Sequence, residues 1–337
     1  MKLGLAGAGR IGAMHAAKLA ALPGVDAVLV ADTDAARAES VAARVGGRVR
    51  AVPRVDDLFT GDVDGLVIAA ATDAHAVLAV RAARAGIPVL CEKPMATDVA
   101  GGCEVIAVDD EVDVPIRVGF QRRFDPGYVA GREALRSGRL GYLHTIRATT
   151  LDPAPPPAAY IAWSGGIFRD CGVHDFDAIR WVTGREVVEV YATGANRGAG
   201  FFAEAGDVDT AAALLTLDDG TLAVVSLGRY NGAGYDVRLE LLGERDSVVV
   251  GLDDRVPLRS AEPGVAWPDG VPATGFPVRF AAAYRAELEA FAAVAAGKPA
   301  DSVALCTPRE ALAAFLVAEA CERSRAERRP VRLDEVG

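Results

Sequence analysis

The sequence predicts an α/β protein in two parts: an N-terminal doubly wound parallel sheet, then an α+β domain built on an open, mainly antiparallel sheet. Three observations carry this reading. Over the first 120 residues, short apolar runs alternate with alanine-rich amphipathic stretches. After Phe120 the runs lengthen and alternate residue by residue. The length of 337 residues is more chain than one small core accommodates, so the expected domains are 1–120 and 121–337, with the last helices free to pack back on the first.

The parallel strands are expected at 2–7, 26–32, 65–71, 87–92 and 115–120, each a continuous apolar run of the kind buried on both faces. Helices are expected at about 11–21, 34–45, 74–85 and 97–108, and Gly24, Gly46 and Gly86 are placed to stop three of them. A helix at 126–137 starts with Pro126 and ends near Gly138. Alternating runs follow at 143–152, 187–196, 210–230 and 237–252, with hairpin turns at DDG (218–220) and GERD (243–246). The segment DPAPPPAAY (152–160) has too many prolines for a helix or central strand and reads as an ordered loop. Two helices, about 278–296 and 308–326, close the chain.

Composition bounds the function. Thirty-six basic against 46 acidic residues give a net charge of −10, which argues against nucleic acid or an anionic membrane as partner. No run approaches the roughly 20 apolar residues of a membrane helix, and glycines interrupt any signal-like core near the N-terminus. Cys91, Cys103, Cys171, Cys306 and Cys321 are odd in number and form no CxxC pair, so free thiols and a cytoplasmic location are expected.

Three stretches carry chemistry. The first is GAGRIG, residues 7–12, after a strand and at the start of a helix. Gly7 permits a tight turn, Gly9 lets a pyrophosphate approach the backbone, and Gly12 permits close helix–strand packing. Asp32, 20 residues past Gly12 at the end of the second strand, is placed to bind ribose hydroxyls. That carboxylate, with Asp34 close by, opposes a 2′-phosphate, so NAD is expected ahead of NADP. The second stretch is CEKP, 91–94, at the carboxyl end of the fifth strand, where Lys93 would meet a ligand in the crevice.

The third is FRDCGVHDFD, 168–177, read as the start of a helix over 170–183 that stops before Gly184. At 100° per residue Asp170, His174 and Asp177 share one face, and Phe176, Ile179 and Val182 the other. An aspartate beside a histidine orients its ring and offsets the charge gained on taking a proton. A solvated surface cluster is the competing reading, and a metal site the weaker one, because only a single histidine is present. His15 is read as a helix-surface residue, His144 as an unremarkable strand residue, and Trp163 and Trp181 as packing residues, with the edge of the pocket as the alternative for Trp163.

With GAGRIG, CEKP and FRDCGVHDFD in this order, the chain resembles the glucose–fructose oxidoreductase / inositol 2-dehydrogenase / MocA-like family over essentially its whole length, and within it the inositol 2-dehydrogenases most. The segments GFQRRFDPGY (119–128), DPAPPPAAYIAWSGGIFRDCGVHDFD (152–177) and GYDVRLELLGE (234–244) carry the likeness, while Cys171–Gly172 and Ala96–Asp98 depart from its usual residues. The resemblance implies a Rossmann domain followed by the sheet domain, and homo-oligomers, commonly tetramers. It also implies oxidation of a cyclic polyol, foremost myo-inositol, with NAD. Lys93, Asp170 and His174 then match the catalytic residues, and Arg122, Asp152 and Tyr235 fall in segments that line the polyol pocket. The expected cofactor contacts are Gly7, Gly9, Arg10, Ile11, Gly12, Asp32, Thr72, Glu92 and Lys93, and no metal is required. A family member for scyllo-inositol, glucose or another sugar, or a non-catalytic NAD-binding sensor, stand as alternatives.

Overall fold

A computed structural model of the chain describes residues 1–60, 62–299 and 304–337. It divides into two compact units, Met1–Gln121 with Tyr284–Leu312, and Arg122–Ala283 with Ala313–Gly337.

The first unit alternates strand and helix: β1 (Lys2–Ala6), α1 (Arg10–Ala20), β2 (Ala27–Ala31), α2 (Ala35–Val45), β3 (Val49–Ala51), β4 (Gly65–Ile68), α3 (Thr72–Arg84), β5 (Val89–Glu92), α4 (Val99–Glu111) and β6 (Ile116–Gly119). The strands form one parallel sheet in the order β3-β2-β1-β4-β5-β6. Leu3, Leu5, Val28, Val30, Leu66, Val67 and Val89 are all fully buried between the helices, as apolar strands without alternation require. The winding reverses between β1 and β4, and that switch point is where such sheets receive ligands, beyond the carboxyl ends of their strands. Asp34 caps α2 and Asp98 caps α4, each by accepting from a first-turn N–H. The periodicity reading located every helix to within three residues at either end but passed over β3, a Val-Arg-Ala run too short to show a period.

The second unit continues with α5 (Pro126–Arg136), β7 (Leu143–Leu151), α6 (Ala158–Ile161), α7 (Val173–Thr183), β8 (Val187–Ala195), α8 (Phe201–Glu204), β9 (Thr210–Leu217), β10 (Leu222–Gly228), β11 (Asp236–Gly243), β12 (Ser247–Val250) and α9 (Phe276–Arg279). Helix α10 (Ala281–Ala295) lies mainly in the first unit, where Phe291 and Ala295 pack against Gly65. Helix α11 (Pro308–Glu327) and β13 (Val331–Arg332) end the chain. The second sheet runs β12-β11-β7-β10-β9-β8-β13. All its pairs are antiparallel except β10 with β7, which are parallel, so the expected open and mainly antiparallel sheet is present. Both expected hairpins occur, β9–β10 around Gly220 and β11–β12 around Glu244–Asp246.

The expected helix over 170–183 is instead a π-helical turn, Phe168–Gly172, running into α7, which ends at Gly184 in the left-handed conformation. Among the described residues no helix is long and apolar enough to cross a membrane. All five cysteines are free, and only Cys103 is exposed.

Two ion pairs seat α7. Arg123 donates to Asp177 from Nε at 3.0 Å and from its terminal amino group at 2.6 Å, and Arg122 donates to Asp175 at 2.6 Å. All four side chains are at most 3 % exposed. Removing one member of a buried pair leaves an uncompensated charge, which costs about 3–5 kcal/mol. Asp177→Asn should therefore lower the urea midpoint of unfolding strongly, whereas Asp246→Asn, at an exposed partner of Arg139, should leave it in place. Equal midpoints for the two variants would show that the buried pair does not hold the helix.

Candidate active site

In the first unit, the loop between β1 and α1 is shaped by steric necessity. Gly7 has φ of +105°, and a Cβ there would lie 2.4 Å from the carbonyl oxygen of Ala69. A Cβ on Gly12 would lie 2.0 Å from the carbonyl oxygen of Gly7. Gly9 differs: a Cβ there would meet nothing within 4 Å, so its glycine leaves open room rather than relieving a protein contact. Gly9 is also the N-cap of α1 with no side chain capping it, so the positive end of the helix, where an anion is favoured, carries no side-chain acceptor of its own at the cap. Asp32 closes the loop from beneath. Its Oδ2 accepts from the Ala8 N–H at 2.7 Å and its Oδ1 from the Asp34 N–H at 2.9 Å. Oδ1 also accepts from the Thr33 hydroxyl at 3.4 Å, so Oδ2 is the oxygen with a lone pair for a ribose hydroxyl. A cavity of about 270 Å³ opens beside the loop, with Ala8, Asp34, Arg37, Ser40 and Arg44 in its wall.

Glu92 ends β5, and Lys93 follows it, joined to Pro94 by a cis peptide bond. The His15 ring approaches Glu92 Oε1 through Nε2 at 2.7 Å and packs edge-on against Tyr284. The surface placement expected for His15 is thus corrected. With Gly12, Ala16 and Leu19 it forms the buried stripe of α1, a spacing of three and four that the sequence already contained. Burial alone would raise the Glu92 carboxyl, but the His15 hydrogen bond, with the charges of His15, Lys93 and His75, outweighs it and holds the group below its usual value. His75, buried on α3 three residues after Thr72, has Nδ1 2.8 Å from the Pro94 carbonyl and Nε2 3.1 Å from that of Ala70. Both partners are acceptors, so a neutral ring donates to only one at a time.

In the second unit, α7 is buried from Val173 to Val182 except at His174. His174 is half-buried, as is Thr183 at the end of the helix. The expected face of Asp170, His174 and Asp177 is corrected, because Asp177 is fully buried against Arg123. A π turn also replaces the α-helical spacing between Asp170 and His174 that the face argument assumed. The Asp170 carboxylate is held from two other elements: Tyr160, on α6, donates its hydroxyl to Oδ1 at 2.8 Å, and Arg229, just past β10, donates to Oδ2 at 2.7 Å. The second amino group of Arg229 donates to Asp152 Oδ2 at 2.8 Å.

Arg229 and Tyr160 are residues the sequence reading missed. Arg122 moves the other way. The reading places it at the substrate, but its guanidinium is committed to Asp175, Thr150 and the Tyr128 hydroxyl within the core, because its neighbour Arg123 and the i, i+2 aspartates of α7 draw both arginines inward. Tyr235 lies in the same polar neighbourhood. Burial pushes its hydroxyl well above the ordinary phenol range; Arg122 opposes this, and Asp152, Cys171 and Asp175 add to it. Among the described residues no group of three or more His, Cys, Asp or Glu side chains is placed to hold a metal ion.

Residues 1–120 match the NAD-binding Rossmann fold of an oxidoreductase family, and residues 128–249 match the GFO/IDH/MocA C-terminal domain. A myo-inositol dehydrogenase of Streptomyces leeuwenhoekii is 41 % identical over 96 % of this chain and 97 % of its own. This chain belongs to the GFO/IDH/MocA family. Its relatives include an inositol 2-dehydrogenase of Rhizobium meliloti, 36 % identical over 98 % of each chain. The crystal structure of scyllo-inositol dehydrogenase from Lactobacillus casei, with bound NAD(H) and scyllo-inositol, superposes with a TM-score of 0.88 over 99 % of both chains at 26 % identity.

The family's cofactor fits the first unit's loop, whose open side at Gly9 and uncapped helix end suit a pyrophosphate. Gly9→Ala should keep the melting temperature of the parent while weakening NAD binding about tenfold or more, read by calorimetric titration. Gly12→Ala, pressed against backbone, should lower stability itself. NAD affinity unchanged by Gly9→Ala would remove the phosphate role of this loop.

Proposed function

We propose that this chain catalyses the NAD-dependent oxidation of one secondary ring hydroxyl of a cyclic polyol, myo-inositol foremost, to the ketone. The observation that carries the reading is His174, the one residue from Val173 to Val182 that is not fully buried, on the helix that follows the π turn carrying Asp170, a carboxylate held from two sides, in a chain whose relatives are inositol dehydrogenases.

The residues divide the work as follows. Gly7, Gly9, Gly12 and the first turn of α1 hold the pyrophosphate, and Asp32 holds the adenosine ribose in preference to a 2′-phosphate. Bound NAD supplies the hydride acceptor. The His174 imidazole accepts the hydroxyl proton and passes it on to water. Asp170 offsets the positive charge that His174 then carries. Lys93 donates from Nζ to the reacting oxygen and stabilises its developing negative charge. Glu92, held ionised by its hydrogen bond to His15, ends β5 directly before Lys93. Asp152 and Tyr235 face the polyol.

Absorbance at 340 nm with NAD and a panel of myo-inositol, scyllo-inositol, chiro-inositol and glucose tests the reading, with NADP in parallel. Myo-inositol with NAD should give the highest kcat/KM. A higher value for scyllo-inositol would move the substrate and keep the mechanism. In Lys93→Ala and His174→Ala, kcat should fall by about 10²–10⁴ while NAD binding persists. Near-parental turnover in either variant would overturn these roles.

We further infer a cytoplasmic homotetramer assembled through the open face of the second sheet. Tyr191, Leu214, Val224, Arg147, Glu240 and Val249 form one row across six neighbouring strands on that face. Tyr191, Leu214 and Val224 are each more than two-fifths exposed in the single chain, an apolar strip of the kind that association buries. Light scattering should give about four times the 35.0 kDa chain mass, and Leu214→Glu with Val224→Glu should reduce it. A parental mass for the double variant would rule this face out.

A further inference from the structure

Arg229 lies in none of the three stretches that point to chemistry, yet it stands between two carboxylates. It is the first residue after β10, as Asp152 is the first after β7. These two strands are the parallel pair of the sheet, in register Leu151 with Gly228, so both chains leave the sheet at the same end. The Asp152 N–H donates to the Gly228 carbonyl at 2.8 Å, and the Arg229 N–H donates to the Asp209 carbonyl at 2.8 Å, which fixes the arginine's backbone. From there the guanidinium, 3 % exposed, spans to Asp152 with one amino group and to Asp170 in the π turn with the other. The groups around it include Asp152 at the end of β7, Asp170 and Cys171 in the π turn, Tyr160 on α6, Asp207 before β9, and Tyr235 before β11, which faces Asp152.

Two carboxylates this close, with little water, do not both stay ionised unless a cation lies between them. Lysine would offer one point of charge, whereas the planar fork of arginine reaches two acceptors at a set spacing.

We propose that Arg229 is a positioning residue, clamping Asp152 and Asp170 at a fixed separation with both ionised, so that one carboxylate faces the polyol while the other opposes the charge on His174. The roles of the two carboxylates rest on the function proposed above; the clamp itself does not.

The test uses the full-length chain in three variants: Arg229→Gln, Arg229→Lys, and Arg229→Gln combined with Asp152→Asn. Two readouts are followed. With myo-inositol and NAD, Arg229→Gln should lose at least about tenfold in kcat with the KM for NAD within about twofold, and the acid limb of kcat/KM should move up by about one pH unit. Arg229→Lys should recover part of kcat, and the double variant should return the acid limb to its parental position.

The second readout is melting temperature at pH 5.5 and pH 8. A carboxylate left without its cation binds a proton more tightly in the folded than in the unfolded chain, so its contribution to stability falls as pH rises. The deficit of Arg229→Gln relative to the parent should therefore be larger at pH 8 than at pH 5.5, and the difference should vanish in the double variant. A deficit equal at both pH values, or kcat and acid limb within twofold of the parent, overturns the clamp. If the parent oxidises no polyol in the panel, the substrate reading fails, and the pH-dependent deficit alone upholds or overturns the clamp. If Arg229→Gln does not fold at pH 8, recovery of folding in the double variant supports the clamp and equal failure overturns it.

Discussion

Arg122 and Arg123, adjacent in the chain, grip Asp175 and Asp177, two residues apart on α7, and the chemistry of the second unit depends on how that grip orients the helix. Hydrophobic residues of the same size would stabilise the packing about as well, because stripping water from four charges offsets most of their attraction. What the pairs add is register. Rotating α7 by one residue, about 100°, would bury at least one aspartate with no arginine opposite it. The helix thus has one orientation available, and in that orientation His174 is the position left open while Phe176, Ile179 and Val182 fill the core.

The first unit reaches the same end by a different route. Its loop is fixed by what cannot fit: at Gly7 and Gly12 a single methyl would collide with backbone. The Lys93 segment is fixed by hydrogen bonds from buried histidines, His15 to the Glu92 carboxylate and His75 to the carbonyl of Pro94. Charge pairs orient one half of the proposed machinery. Steric exclusion and histidine hydrogen bonds orient the other.

This contrast explains what could be read from sequence. Strands β1, β2, β4, β5 and β6, the helices around them, the glycine stops Gly46 and Gly86 and both hairpins were legible, because each is encoded by a local period or turn residue; α1 instead ends at Ala20, before Gly24. Strands β3 and β13, of three and two residues, carry no period. The glycine loop, Asp32 and the CEKP turn were legible through their spacing. Arg122 was misplaced because nothing local distinguishes an arginine facing a pocket from one facing an aspartate 53 residues away. Asp177 was misplaced because face arithmetic assumes that one side of the helix is wet, and α7 is enclosed nearly all round. Arg229 was invisible for a related reason: its meaning comes from the parallel pairing of β7 with β10, and no periodicity announces which strands will be neighbours.

That pairing has a consequence for how the molecule assembles. Arg229 meets Asp152 across 77 residues of sequence and Asp170 across 59. Closing loops of that length precedes any return from the contact, so non-local pairings of this kind form slowly compared with helices and hairpins. Helix α7 and the hairpin β9–β10 can each form from neighbouring residues, yet neither contains the carboxylate pair with its cation. During refolding, formation of the Arg229 bridge is therefore a late event, and it reports the pairing of β7 with β10 rather than the appearance of either part.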